Sequence, residues 1–119
     1  MNKEIGFNGE QAVLDYMLGN GYSLITRNFS IHNVGELDLV MRKNDEVVVI
    51  EVKSRLGSNI ENWGLPELAV NSNKLRKMKN TTRYLISRFN LYDCDITFMV
   101  GSVVHDKSGK ILDISVFEI

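Results

Sequence analysis

The sequence predicts an α/β fold: a mixed β-sheet flanked by helices, in the order helix, three strands, helix, two strands. Three observations carry this. Two apolar runs rich in β-branched residues, 35–40 and 47–53, flank a short polar connector and read as a β-hairpin. Residues 5–19 and 74–89 repeat apolar side chains at spacings of three and four, as amphipathic helices do. Two more apolar runs, 95–104 and 111–117, follow the second helix and are joined by a Gly-containing turn. The chain has 119 residues, 44% hydrophobic and 24% charged. That is enough for a real core in a single domain spanning 1–119.

Taken in order, the first helix carries Phe7, Ala12, Val13, Tyr16 and Met17 on its repeat, and Asn20-Gly21 stops it. Glu10 lies on this helix, where an acid at that spacing is ordinarily solvated. Residues 22–31, with Leu24, Ile25, Thr26 and Phe29, form a first strand, and His32-Asn33-Val34-Gly35 turns it back. His32 is a loop histidine that either reaches a site or is solvated. His105 is remote from it and no nucleophile motif accompanies either, so a Ser/His or Cys/His triad has no support.

The hairpin can be registered from its turn. With Asn44-Asp45 at the centre, Lys43 faces Glu46, Val40 faces Val49, Asp38 faces Glu51 and Glu36 faces Lys53. Side chains alternate along a strand, which sets Asp38 beside Glu51 on one face with Cβ atoms roughly 5 Å apart. Directly opposed like charges are destabilising. Two carboxylates kept together are therefore expected to hold a cation, and a few hard oxygen ligands with room for water suit Mg²⁺ or Mn²⁺. The alternative is a solvated acidic face with a surface Glu51–Lys53 ion pair. Against it, the run 47–52 reads as a central, buried strand, where charges need partners.

After Lys53 come Ser54-Arg55 and a Gly/Ser/Asn-rich loop over 56–64. Its Trp63 either stacks on a base or folds onto the core. Pro66 opens a short helical turn, with Leu68, Ala69 and Val70 inward, and Ser72 or Asn73 caps the second helix. Leu75, Met78, Thr82, Leu85, Ile86 and Phe89 form that helix's apolar stripe. Arg76, Lys77, Lys79, Arg83 and Arg88 then fall outside or on the flanks. Between Glu67 and Asp93 there is no acid, yet six of the fourteen basic residues lie there. Such a face is either solvated or a phosphate-contacting surface. Cys94, at the head of the next strand, reads as a small core residue.

The totals exclude several classes. A net charge of −1 argues against a protein that simply coats nucleic acid. No apolar run is long enough to span a bilayer, and no signal-peptide pattern opens the chain. A cytoplasmic protein without a membrane partner is expected. One Cys and two His exclude an internal disulfide and a thiolate zinc site.

The order and motifs resemble the PD-(D/E)XK nuclease superfamily, most closely the YraN-like family of predicted endonucleases, itself similar to archaeal Holliday junction resolvases. The motifs are Gly9-Glu10 with Ala12, Asn28, Gly35-Glu36-Leu37-Asp38-Leu39-Val40, Ile50-Glu51-Val52-Lys53-Ser54-Arg55, Ala69-Val70 with Lys74, and Tyr84-Leu85. The resemblance implies a restriction-endonuclease-like fold and a Mg²⁺ or Mn²⁺ site made by Asp38, Glu51 and the Val52 main-chain carbonyl. It implies that Lys53 orients the attacking water and stabilises charge on the phosphate. Glu10 would complete the acidic cluster, Glu36 would lie at its edge near Lys53, and Lys74 would reach the site or a phosphate. Arg55, Lys74, Arg76 and Lys77 are the candidates for contacting nucleic acid. The expected activity is metal-dependent endonucleolytic hydrolysis of DNA, with branched or structured DNA as the favoured form and a homodimer suggested by similarity to resolvases. The alternative is a catalytically weak module of a repair or uptake system that binds nucleic acid or a protein. One departure is Asp93-Cys94-Asp95, where the family often has Arg-Phe-Asp.

Overall fold

A computed structural model describes residues 3–57 and 70–119, with side chains from Gly9 onward. Trp63, Pro66, Leu68 and Ala69 lie outside the described residues. The elements are α1 (Lys3–Gly19), β1 (Ser23–Ile31), β2 (Gly35–Lys43), β3 (Glu46–Leu56), α2 (Ser72–Phe89), β4 (Asp95–His105) and β5 (Ile111–Glu118). The order is the one expected. The strands form one sheet in the order β1-β2-β3-β4-β5, antiparallel except for β3 and β4, which run parallel on either side of the α2 crossover.

β3 is the central strand because its sequence suits burial on both faces. Val47, Val48, Val49 and Ile50 are wholly buried. On one face Val48 and Ile50 join Leu39, Met41 and Val103 under Val13, Leu14 and Met17 of α1. On the other, Val47 and Val49 join Leu37, Val40 and Val100 under Met78 and Leu85 of α2. Leu14 takes the place in α1 that the spacing gave to Tyr16, which is exposed instead. Phe89 is 38% exposed, but its ring meets Phe29 edge-on at 6.2 Å. Cys94 is half-buried and packs at the margin of the α2-side core.

The β2–β3 register is the expected one from Lys43↔Glu46 through Val40↔Val49 to Leu39↔Ile50, and there the paired residues end. The reason lies in β1 and β2 together. Asn28 has a left-handed backbone, φ 55. Its neighbours pack on opposite faces: Arg27 reaches Gln11 of α1, while Phe29 joins the α2-side core. The same break of alternation appears across the ladder, where Arg27 pairs Leu39 and Phe29 pairs Leu37. Leu39 faces α1 and Leu37 faces α2, so the chain reverses faces at Asp38. Beyond this kink β2 leaves β3 and lies flush on α2. A Cβ on Gly35 would stand 2.5 Å from the Thr81 Oγ1 and 3.5 Å from the Lys77 carbonyl.

Asparagine occupies every left-handed non-glycine position among the described residues: Asn28, Asn33, Asn44 and Asn90. Its short polar side chain tolerates that region better than branched residues do. Asn33 shapes the β1–β2 turn and Asn44 the β2–β3 turn, and Asn90 ends α2 by donating its N–H to the Ile86 carbonyl. The N-cap of α2 is Asn71, whose Oδ1 accepts from the Lys74 N–H at 2.8 Å. Ser72 and Asn73, the expected caps, already lie in the first turn.

Asn28 offers a direct check on the kink. Asn28→Val should cost about 1–3 kcal/mol in urea unfolding, because a β-branched residue is strained at positive φ. Asn28→Gly, which accepts that angle freely, should cost less than about 1 kcal/mol. Equal losses in the two variants would mean that the left-handed backbone is not what this position requires.

Candidate functional site

Past the kink, the gap between β2 and β3 contains Asp38, Glu51 and Val52. The Val52 N–H, left without a β2 ladder partner, donates to Asp38 Oδ2 at 2.9 Å. In an extended residue the N–H and C=O point to the same strand edge, so the Val52 carbonyl faces this gap as well. Asp38 and Glu51 are not paired within the ladder, as the register alone would have them. The kink carries Asp38 into the gap, where its carboxyl hydrogen-bonds that of Glu51. Two carboxyl groups can share such a bond only if one of them is protonated. Burial foremost, then the Glu51 bond and charge, push the Asp38 carboxyl up to about 7, against the opposing pull of the Val52 N–H.

Glu51 is buried, with 5% of its surface exposed. Two ammonium groups balance it. Lys74 Nζ lies 3.2 Å from Glu51 Oε2 and Lys53 Nζ lies 3.7 Å from the same oxygen. Lys53 shares a face of β3 with Glu51, as strand alternation requires. Lys74 comes from the first turn of α2, where Asn71 anchors its backbone. That turn contains no acid of its own, and its Lys74 side chain reaches the Glu51 carboxylate. The Glu36–Lys53 pairing does not form. Glu36 is paired through its backbone with Ser30 of β1.

Glu10 enters from α1. Gly9 allows the approach, since a Cβ there would overlap the Ser54 hydroxyl of β3. The Glu10 carboxyl is raised from its ordinary value, chiefly by burial and then by the charges of Glu36 and Glu51, with Arg27 opposing. Arg27 Nη2 is 3.8 Å from Glu10 Oε1, and Arg27 Nη1 donates to Gln11 Oε1 at 3.2 Å. Glu10 thus belongs to the same electrostatic field as Asp38 and Glu51 without ligating beside them. Among the described residues no three Asp, Glu, His or Cys side chains form a group able to hold a metal ion. Arg27 was not anticipated. The available signal was the one charged residue of β1, which needs a partner where the strand faces a helix.

Arg55 continues β3 beyond Lys53, paired with Val104. Arg76 and Lys77 lie on the outer face of α2 beside Asn33 and Val34. His32 is exposed in the β1–β2 turn. His105 is buried at the end of β4 with its Nδ1 2.9 Å from the Asp106 carbonyl. Among the described residues no helix is long and apolar enough to cross a membrane.

The donor chemistry of the gap suits a small hard cation. Two carboxyl groups and a carbonyl converge, and burial with the neighbouring Glu51 charge holds the Asp38 carboxyl up to about 7, so positive charge is favoured between them. Such a set could fix a divalent ion. It could also serve only as a buried ion cluster with Lys53 and Lys74.

Comparison with known proteins gives a family model described as "Uncharacterised protein family UPF0102", which matches residues 9–99. A UPF0102 protein of Dictyoglomus thermophilum is 36% identical over 112 residues, covering 94% of this chain and 92% of that protein. One from Syntrophomonas wolfei is 36% identical over 112 residues, covering 93% and 94%. A third, from Clostridioides difficile, is 35% identical over 102 residues, covering 86% of each.

The shared proton makes stability depend on pH. Near the ordinary value of 3.8 and below, Asp38 is protonated in folded and unfolded chains alike. As pH rises through about 7 it ionises in the folded chain against Glu51. Stability is therefore lost from about pH 3.8, where the unfolded chain ionises, up to about pH 7, and is level above that. Asp38→Asn keeps an acceptor for Val52 and a donor for Glu51 without the charge. In metal-free buffer its advantage over wild type should grow by about 3 kcal/mol between pH 4 and pH 7 and stay level from pH 7 to 9. Thermal unfolding across pH 4–9 reads this directly, and parallel curves for the two proteins between pH 4 and 7 would refute the raised Asp38 carboxyl.

Proposed function

The chain belongs to the uncharacterised protein family UPF0102, and from that premise we propose that it is a Mg²⁺- or Mn²⁺-dependent nuclease domain of the restriction-endonuclease-like, PD-(D/E)XK class, acting on DNA. The observation that carries this reading is the touching Asp38–Glu51 pair at the opening of the hairpin, with Lys53 on the same strand 3.7 Å from Glu51.

Phosphodiester hydrolysis needs an activated water and positive charge where negative charge grows on the phosphate. A bound divalent cation supplies both, by lowering the pKa of water and polarising the phosphoryl oxygen. The residues that would hold it are Asp38, Glu51 and the Val52 carbonyl. Asp38 gives up its proton on binding. The Lys53 ammonium, about 40% exposed, orients the attacking water and faces the developing charge. Lys74, 38% exposed, is held by the first turn of α2 beside the same carboxylate and provides a second positive charge. Water oxygen bonds to phosphorus as the bond to the leaving oxygen breaks. Glu10, held by Arg27, adds negative potential that strengthens cation binding.

A second reading has an observation of its own. Glu51 is already balanced by two lysines, as in a structural ion cluster. On that reading the protein binds DNA without turnover.

Cleavage of linear, four-way and flap DNA in the presence of Mn²⁺ separates the two. Nuclease chemistry requires that Asp38→Asn and Lys53→Ala each lower the rate about a hundredfold or more, with unfolding midpoints showing that both variants are folded. Cleavage that survives either change, or survives EDTA, would place the chemistry elsewhere. Salt-dependent DNA binding that weakens in Lys74→Ala and Lys77→Ala, with no cleavage by wild type, would favour the second reading.

A further inference from the structure

The outer face of α2 and the β1–β2 turn enclose a groove of about 690 Å³, lined by Asn33 from the turn and Arg76, Lys77, Asn80, Arg83 and Tyr84 from the helix. A second hollow of about 480 Å³ runs from Lys77 and Asn33 to Glu36. The two share Asn33, Val34 and Lys77, so they form one trough. Its inner end is close to the carboxylate pair: Glu36 is two residues from Asp38, and Lys77 is one helical turn beyond Lys74, which contacts Glu51.

We infer that this trough holds a single-stranded segment of DNA, with Tyr84 stacked on a base and Lys77 and Arg83 on the backbone. The inference rests on the reading that DNA is the substrate. Four observations point to a single strand. The surface is concave, whereas a duplex is met by an open basic face. Tyr84 is 51% exposed on the wall of a groove that also presents Arg76, Lys77 and Arg83 beside Val34, a mix of ring, cation and apolar surface of the kind that holds unstacked bases. The Asn33 and Asn80 amides can both donate and accept, as base edges require.

Charge is the fourth observation. α2 carries six basic residues and no acid, while the rest of the chain holds eight basic and fifteen acidic. A duplex laid across the body would meet that acidic excess, whereas among the residues lining the trough Glu36, at its inner end, is the one acid. The six cations are also sorted. Arg76, Lys77 and Arg83 line the groove, Lys74 is on Glu51, and the Arg88 guanidinium lies 5.7 Å from the Phe29 ring centre. Lys79 is exposed and lines neither hollow. It is an internal control for non-specific attraction.

The test is fluorescence anisotropy in EDTA at fixed salt, using a labelled oligothymidine of about 12 nucleotides and a blunt duplex of the same length. The single strand should bind more tightly than the duplex. Tyr84→Ala should weaken single-strand binding about tenfold and Tyr84→Phe should retain it, since stacking needs the ring and not the hydroxyl. Arg83→Ala should weaken it, and Lys79→Ala should leave it unchanged. Equal affinity for the two DNAs, or equal losses in Lys79→Ala and Arg83→Ala, would overturn the inference. Because binding is read without metal, it fails or stands apart from cleavage. Trough binding with no cleavage under Mn²⁺ would sink only the nuclease reading, and cleavage with no effect of Tyr84→Ala on binding would sink only the trough.

Discussion

The constraint on which the site depends is the early end of the β2–β3 ladder. A hairpin that stayed paired would hold Asp38 and Glu51 as opposed strand residues with their backbones tied to each other. Instead the left-handed Asn28 and the face reversal at Asp38 divert β2 towards α2, where Gly35 allows close contact with Thr81 and Lys77. The Val52 N–H is thereby released to the Asp38 carboxylate. A backbone donor, a backbone carbonyl and two carboxyl groups then meet in one gap. The cost of that gathering is electrostatic, and it appears in the raised Asp38 carboxyl.

The balance of charge around the gap follows from the topology. β3 is central and brings Glu51 into a buried position. Its parallel neighbour β4 obliges the chain to cross over through α2, whose first turn comes within reach of Glu51. Lys74 sits on that turn. α1 closes the opposite face and brings Glu10 with its partner Arg27. Each helix thus contributes one charged side chain to a field centred on the hairpin, and α2 gathers six of the fourteen basic residues on one element.

Much of this was legible in the sequence. The Asn44-Asp45 turn fixes the register, and the pairs from Lys43↔Glu46 to Leu39↔Ile50 follow from it. The burial of β3 was legible from an unbroken run of β-branched residues. The end of the ladder was not, because it depends on the backbone angle at Asn28, one strand away, and on how β2 docks on α2. For the same reason the opposition of Glu36 and Lys53 failed: it assumed pairing beyond the kink. The choice of Asn71 over Ser72 or Asn73 as the helix cap is a contest among three competent residues, decided by where the chain enters the helix. The Glu10–Arg27 pair joins residues seventeen apart through the α1–sheet interface, and periodicity within α1 could not reveal it.

The central claim is that the Asp38–Glu51 gap is built for a cation and that a proton stands in for it. The most direct measurement is the number of protons released when Mn²⁺ binds, obtained by titration calorimetry in buffers of different ionisation enthalpy. At pH 6 we expect roughly one proton released per Mn²⁺ and close to none near pH 9, because the carboxyl being displaced titrates at about 7. Asp38→Asn should lose both the proton release and most of the affinity. Absence of Mn²⁺ binding, or binding with the same proton count in wild type and Asp38→Asn, would contradict the claim.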